Sequence, residues 1–283
     1  MTSSPHTIGT ASAGAARQNG EMSDAEYARM DALEATHWWY LGLRDLVGRV
    51  LMQHAARVER ELSVLDAGCG TGENLRLCAE RLPGARLAGF DVSQRALEYA
   101  RRKVPRAELQ VGDVTAAPPI PLGREYDVIL SLDVLQITGL APAAEGMRVL
   151  TSQLRPGGLL ILNLPAYQWL YSRHDVAVST RYRFTRAQVR EFLTELGLEP
   201  VRLSYRLWPV FPAFVAMRWA TRSVRPSDGP IQSDLSPVHP RVNSLLYGLL
   251  RQENAWLARG GSLPWGSSVF AVGEAERREA ASG

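Results

Sequence analysis

The run Val64-Leu65-Asp66-Ala67-Gly68-Cys69-Gly70-Thr71-Gly72 places three glycines where an apolar stretch gives way to a polar, helix-spaced one. Glycines there permit a tight turn and let backbone N–H groups approach a ligand closely. Asp91 ends the next apolar stretch, and a carboxylate at that place can accept both hydroxyls of a ribose. A glycine loop alone is a weak signal. Loop, Asp66 and Asp91 together in one strand–turn–helix context are a specific one. A second chemical cluster lies between Pro165 and Phe184, with Tyr167, Tyr171, Arg173, His174, Asp175 and Tyr182. Histidine titrates near neutrality and a neighbouring carboxylate makes it more basic, so His174 beside Asp175 is the best candidate for a general base. The alternative for Asp175 is a loop cap.

Other chemistries fit less well. A nicotinamide dinucleotide site wants Gly-x-Gly-x-x-Gly, whereas the spacing here is Gly-x-Gly-x-Gly preceded by Asp66. Tyr99 and Lys103 form a Tyr-x-x-x-Lys pair, but on the helix after the second strand, where they read as a solvated face. Lys103 is the sole lysine, which removes any phosphate loop ending in Gly-Lys-Ser/Thr. The turn after Leu132, Asp133-Val134-Leu135-Gln136, lacks the Pro-Pro-aromatic sequence that would hold a flipped base. His6, His37, His54, His174 and His239 are scattered, Cys69 and Cys78 have no metal-ligand spacing, and no metal is expected.

These groups need a scaffold, and the chain is long enough to supply one. It has 283 residues, 46% hydrophobic and 22% charged, with a net charge of +3 that is not gathered into a nucleic-acid footprint. Apolar runs predict strands at Leu62–Ala67, Arg86–Asp91, Glu108–Val111, Tyr126–Leu132, Leu159–Leu164, Val201–Leu207 and Ser267–Val272. Amphipathic spacing predicts helices at Glu73–Leu82, Ser93–Val104, Ala141–Leu154 and Thr185–Leu196, the third stopped by Arg155-Pro156-Gly157-Gly158. Ser23 to Glu59 reads as a helical cap, and residues 1–22 as a disordered tail. One domain therefore spans 23–283, with a long insertion, 208–264, between the last two strands. Strands alternating with helices imply a mostly parallel sheet covered on both faces. With no signal peptide or membrane-length apolar run, the expected compartment is the cytoplasm.

The glycine loop and Asp91 resemble motif I and the following acidic residue of class I S-adenosylmethionine (SAM) dependent methyltransferases. The likeness runs from about Ser63 to Glu199 and resumes at Ser267 to Ala275. It implies an α/β, Rossmann-like, seven-stranded sheet with an antiparallel last strand, helices on both faces and a helical lid insertion. It further implies that Gly68 and Gly70 approach the methionine part of SAM, with Asp66, Cys69 and Gly72 of the same loop also at the cofactor. Asp91 and Val92 would hold the ribose, and Asp113 and Val114 the adenine. Asp133 ends the fourth strand, which faces the methyl group. Asp113 and Asp133 also read as caps or turn residues. Gln136 stands where many relatives have histidine. Glu34-Ala35-Thr36-His37-Trp38-Trp39-Tyr40 with Arg44 is similar to the leading His-Trp-Trp helix of a bacterial subgroup. Such a helix caps the SAM site, and Arg44 would pair with the SAM carboxylate; core packing with a surface arginine is the other reading.

The resemblance implies methyl transfer to a small-molecule or lipid/sugar-type acceptor, O- or C-methylation, without metal. Tyr40, Gln136, Tyr167, Tyr171, Arg173 and Tyr182 are the candidate acceptor contacts. Exposed Trp208, Phe211, Phe214 and Trp219 would favour an amphiphilic acceptor and peripheral membrane contact. A SAM-binding fold that acts as a cyclase or accessory subunit is the alternative.

Overall fold

The computed structural model describes residues 24–115, 125–222 and 237–277. The proposed tail at 1–22 lies outside them. In chain order the elements are α1 (Asp24–Glu34), α2 (Trp38–Ala55), β1 (Ser63–Ala67), α3 (Glu73–Arg81), β2 (Arg86–Asp91), α4 (Gln94–Lys103), β3 (Glu108–Val111), β4 (Tyr126–Leu132), α5 (Leu140–Thr151), β5 (Leu154–Pro165), α6 (Arg173–Ala177), α7 (Arg186–Glu195), β6 (Leu198–Arg206), α8 (Phe211–Arg222), α9 (Pro240–Ala258) and β7 (Ser268–Ala275).

The strands form one sheet in the order β3-β2-β1-β4-β5-β7-β6. β7 lies antiparallel to both its neighbours, β5 and β6, and the other pairings are parallel. β1 and β4 are buried along their whole length, as strands covered on both faces must be. After β1 the chain moves outward to β2 and β3, then returns to β4 on the other side. The carboxyl ends of β1 and β4 therefore open a crevice at the switch point, where ligands bind in such sheets. Separate apolar clusters fill the two faces, one around Phe90, Ile129 and Leu162, the other around Leu51, Leu130 and Ile161.

Three boundaries differ from the sequence reading. The N-terminal helix is two helices, because the chain turns after Glu34 and His37 caps the second, its side chain accepting from Trp39 N at 3.4 Å. The expected stop at Arg155-Pro156-Gly157-Gly158 lies inside β5, absorbed by a bulge against Tyr126 and Val128. β6 starts at Leu198, immediately after Gly197 ends α7 with φ +71°.

The insertion returns to the body through α9, which packs on α2. α2 turns Leu43, Leu46, Val47, Val50 and Leu51 inward, one apolar stripe at helical spacing. At Gly42 the two helices are so close that a Cβ would sit 2.3 Å from Leu250 Cδ1. Asn254 Nδ2 donates to Gly42 O (2.7 Å) and to Asp45 Oδ2 (2.9 Å) in this contact, fully buried. Asn254→Ala removes both of these bonds from the buried contact. It should lower unfolding stability by about 1–3 kcal/mol, read as a shifted urea midpoint with unchanged slope.

Candidate active site

The glycine loop leaves β1 and is stitched to the end of β2. Gly68 N and Cys69 N both donate to Phe90 O at 2.9 Å, and Gly70 N donates to Asp91 Oδ2 at 2.9 Å. Gly68 has φ +83°, and a Cβ there would meet Val134 at 2.3 Å, so only glycine fits. Gly70 has φ +51°, and its Cβ would stand in a cavity, 3.0 Å from Met30 Cε of α1. Asp91 Oδ1 accepts from Ser93 N at 2.9 Å and from Tyr27 Oη at 3.5 Å.

This loop is the floor of one continuous cavity of about 550 Å³ at the crevice. Of the sequence-derived cofactor residues, Gly68, Cys69, Gly70, Asp91, Val92, Asp113, Val114, Asp133 and Arg44 line it. Asp66 and Gly72 do not. Gly72 packs on Ala100, where a Cβ would come within 2.7 Å. Asp66 is buried behind the loop, neither carboxylate oxygen has a hydrogen-bond partner among the described residues, and burial pushes its carboxyl up to about 8. Burial likewise raises the Cys69 thiol. Asp113 Oδ1 accepts from Thr115 N and Oγ1, both at 2.8 Å, so the turn-residue reading describes that oxygen.

Asp133 stands on the cavity wall just past the end of β4. It adopts φ +58°, a conformation that costs a non-glycine residue about 1–3 kcal/mol and clusters at functional sites. Asn163 Nδ2 on β5 donates to both its oxygens at 2.9 Å. Burial raises its carboxyl to about 6, with Asn163, Arg206 and Arg183 opposing.

Beyond Asp133 the cavity is lined by Gln136, His174, Asp175, Val178, Thr180, Arg183, Val210, Phe214, Met217 and Arg218, among others. Tyr40 lines it from α2. Asp175 serves as a clasp, which is the cap alternative: it accepts from Ser172 N at 2.8 Å and from Arg183 Nε and Nη2 at 2.8 and 3.2 Å. Both its oxygens are thus engaged by Ser172 and Arg183, and the neighbouring His174 is half-buried on the cavity wall. Gln136 O accepts from Arg181 N and Tyr182 N, tying this loop to the end of β4.

Tyr167, Tyr171 and Tyr182 do not line the cavity, contrary to the sequence reading. Tyr167 stacks on Trp169 and Tyr205. Tyr171 Oη donates to Thr180 O at 3.0 Å, and Tyr182 Oη accepts from Gln188 Nε2 at 2.8 Å. The Arg173 side chain lies outside the described residues.

The sequence reading missed the polar lock on the cap. Glu34 Oε1 accepts from Thr71 Oγ1 and from Lys103 Nζ, and Lys103 also pairs with Asp31 at 2.6 Å. Lys103 is therefore no solvated helix face. Arg44 donates to Glu34 O and stands 3.9 Å from Glu73. The only available signal was that Lys103 is unique. Among the described residues no group of three or more His, Cys, Asp or Glu side chains is placed to hold a metal, and no helix is long and apolar enough to cross a membrane.

Residues 64–158 match a methyltransferase domain family. Trans-aconitate 2-methyltransferase of Azoarcus sp. (strain BH72) is 37% identical over 123 residues, 43% of this chain and 44% of that protein. Malonyl-[acyl-carrier protein] O-methyltransferase of Halalkalibacterium halodurans is 33% identical over 117 residues, 40% of this chain and 42% of that one. The matched part is thus less than half of these curated relatives. Plantazolicin methyltransferase BpumL, solved with a monoazolic desmethylPZN analog and SAH, has the same fold, with a TM-score of 0.55 over 89% of this chain and 88% of that one at 17% identity.

An acid whose folded value lies above its unfolded one, as for Asp66, favours folding in its protonated form. That advantage is lost as pH climbs from about 4 to about 8. In the cofactor-free protein, the stability of Asp66→Asn relative to wild type should therefore rise across that window, by at most ~1.4 kcal/mol per pH unit. Thermal unfolding at several pH values measures it; a constant difference would mean that Asp66 titrates normally.

Proposed function

We propose that the chain is a class I SAM-dependent methyltransferase that transfers a methyl group to a small-molecule acceptor of apolar or amphiphilic character, a reading supported by the match of residues 64–158 to a methyltransferase domain family. The observation that carries this reading is the single cavity running from Asp91 and the glycine loop, past Asp133, to His174 and α8.

The residues present suit the cofactor. Gly70 leaves open the space that a Cβ would fill, with its amide already aligned beside Asp91. Asp91 lines the cavity with its carboxylate fixed by the amides of Gly70 and Ser93, positioned as an acceptor for a ribose hydroxyl. Arg44, with Glu34 and Glu73, presents both signs of charge to a zwitterionic amino-acid end. Val92 and Val114 flank the place of an aromatic base. When bound, SAM supplies an electrophilic methyl group on a positively charged sulfur.

The protein's part is to align the acceptor and exclude water, which is worth about 7–11 kcal/mol of effective concentration. His174 takes the proton of a hydroxyl or carbon acid, so O- or C-methylation fits this wall. The relatives' acceptors, trans-aconitate and malonyl-[acyl-carrier protein], carry carboxylates. Here the wall holds Val178, Val210, Phe214 and Met217 beside one arginine, Arg218, while the Arg183 charge is matched by Asp175. An acceptor less polar than a tricarboxylate suits that lining.

Incubation with methyl-labelled SAM and pooled extracts tests the reading. Label should appear in an organic-soluble product. Label confined to a water-soluble tricarboxylate would contradict the apolar acceptor. No labelled product despite tight SAH binding would remove methyl transfer itself.

Two variants separate the halves of the cavity. Asp91→Ala should weaken SAH binding about 10- to 100-fold, the worth of one charged hydrogen bond or more; calorimetry reads it. His174→Ala should slow transfer by about 10²–10⁴-fold while leaving SAH affinity intact. An equal loss of SAH affinity would make His174 structural.

A further inference from the structure

α8 and the start of α9 wall the acceptor half of the cavity. Phe214, Met217 and Arg218 line it from α8, and Pro237 and Val238 from the approach to α9. The opposite face of α8 is apolar and exposed: Pro212, Ala213 and Ala216 lie in solvent, and Trp219 is 66% exposed. Met217 belongs to both faces, lining the cavity while 45% exposed. Just past Val238, Val242 and Leu245 are also exposed, Leu245 by 63%. The apolar lining of the cavity thus continues outward onto the protein surface at its mouth. Patches of this kind mark interaction sites.

Charge indicates the partner. α8, Phe-Pro-Ala-Phe-Val-Ala-Met-Arg-Trp-Ala-Thr-Arg, contains no acid, and its Arg218 is buried on the cavity wall. α9 contributes Arg241 and Arg251, both exposed. Its acid, Glu253, is turned inward and accepts from Leu207 N at 2.7 Å and Trp208 N at 2.8 Å. Among the described residues of these two helices, the exposed ionisable side chains are therefore basic. An apolar face with tryptophan and arginine is the pattern of a helix lying in the plane of a lipid interface. α8 has 12 residues, so it would lie on the surface and not cross it.

We propose that the mouth of the acceptor cavity docks on an anionic lipid surface through α8 and the first turns of α9, so that the acceptor passes from the lipid layer into the cavity. This rests on reading the half beyond Asp133 as the acceptor site. Trp219, Met217 and Leu245 insert among the headgroups and upper acyl chains, while Arg241 pairs with lipid phosphate. An acceptor of low water solubility then reaches His174 without crossing water.

Co-sedimentation of the full chain with vesicles is the test, using phosphatidylcholine mixed with phosphatidylglycerol against phosphatidylcholine alone. The wild type should pellet with the mixed vesicles, far less with the neutral ones, and be released by salt. Trp219→Asp and Arg241→Glu should each lower binding to mixed vesicles about ten-fold or more. Both positions are exposed, and unchanged SAH affinity by calorimetry shows that the fold is kept. SAH calorimetry on the wild type also tests the methyltransferase reading independently of any vesicle. The docking proposal is overturned by a wild type that does not pellet, by equal binding to both vesicle types, or by binding indifferent to both substitutions. A concentration-dependent dimer abolished by Trp219→Asp would overturn it too, because a second copy would then cover the face.

Discussion

One carbonyl oxygen organises the site. Phe90 O accepts from two successive amides, Gly68 N and Cys69 N, each at 2.9 Å, and this closes the loop after β1 onto the end of β2. Two neighbouring N–H groups can converge on one acceptor only because Gly68 takes a left-handed conformation. The same bend brings Gly70 N to Asp91 and seats Gly68 against Val134. Loop, carboxylate and the turn after β4 are thereby set relative to one another before any ligand is considered. Such preorganisation lets binding energy be used for the ligand and not for ordering the site.

Two buried polar clusters attach the covering elements to that centre. Glu34, Thr71, Lys103 and Asp31 hold α1 above the glycine loop, where burial raises the Glu34 carboxyl against the lowering effect of Lys103. On the other side Asp133, Asn163, Arg206 and Glu253 run from the end of β4 to α9. Arg206 is fully buried; its Nη1 donates to Asn163 Oδ1 at 3.4 Å, and its Nε and Nη2 have no hydrogen-bond partner among the described residues. Its charge faces both Glu253 and Asp133. A buried cation lacking either carboxylate would be strongly unfavourable. The insertion is thus electrostatically tied, through α9, to Asp133 on the cavity wall.

The sheet and the cofactor loop were legible from residue order, since each depends on local rules. Seven apolar runs separated by amphipathic ones imply a covered parallel sheet, and the spacing of Gly68, Gly70 and Asp91 fits one strand–turn–helix geometry. Thr185 and Ser93 cap their helices as their residue types imply, accepting from Gln188 N and Ala96 N. The bulged start of β5 was not legible. Whether Arg155-Pro156-Gly157-Gly158 breaks a strand or kinks it depends on the neighbouring Tyr126 and Val128.

Side-chain direction was decided by tertiary structure alone. The loop after β5 is rich in aromatic, basic and acidic groups, and its sequence assigns them no direction. The fold turns His174, Thr180 and Arg183 to the cavity and stacks Tyr167 on Tyr205, which comes from β6. Asp175 was a base's partner or a clasp until Arg183 arrived beside it at 2.8 Å. Lys103 and Glu34 are 69 positions apart, and no local pattern reports a contact over that separation. Local backbone chemistry is therefore written in the residue order, through glycine, capping side chains and apolar period. Which long-range charges meet, and which aromatic rings face the cavity, emerges only when packing brings distant strands together and burial makes every unmatched charge costly.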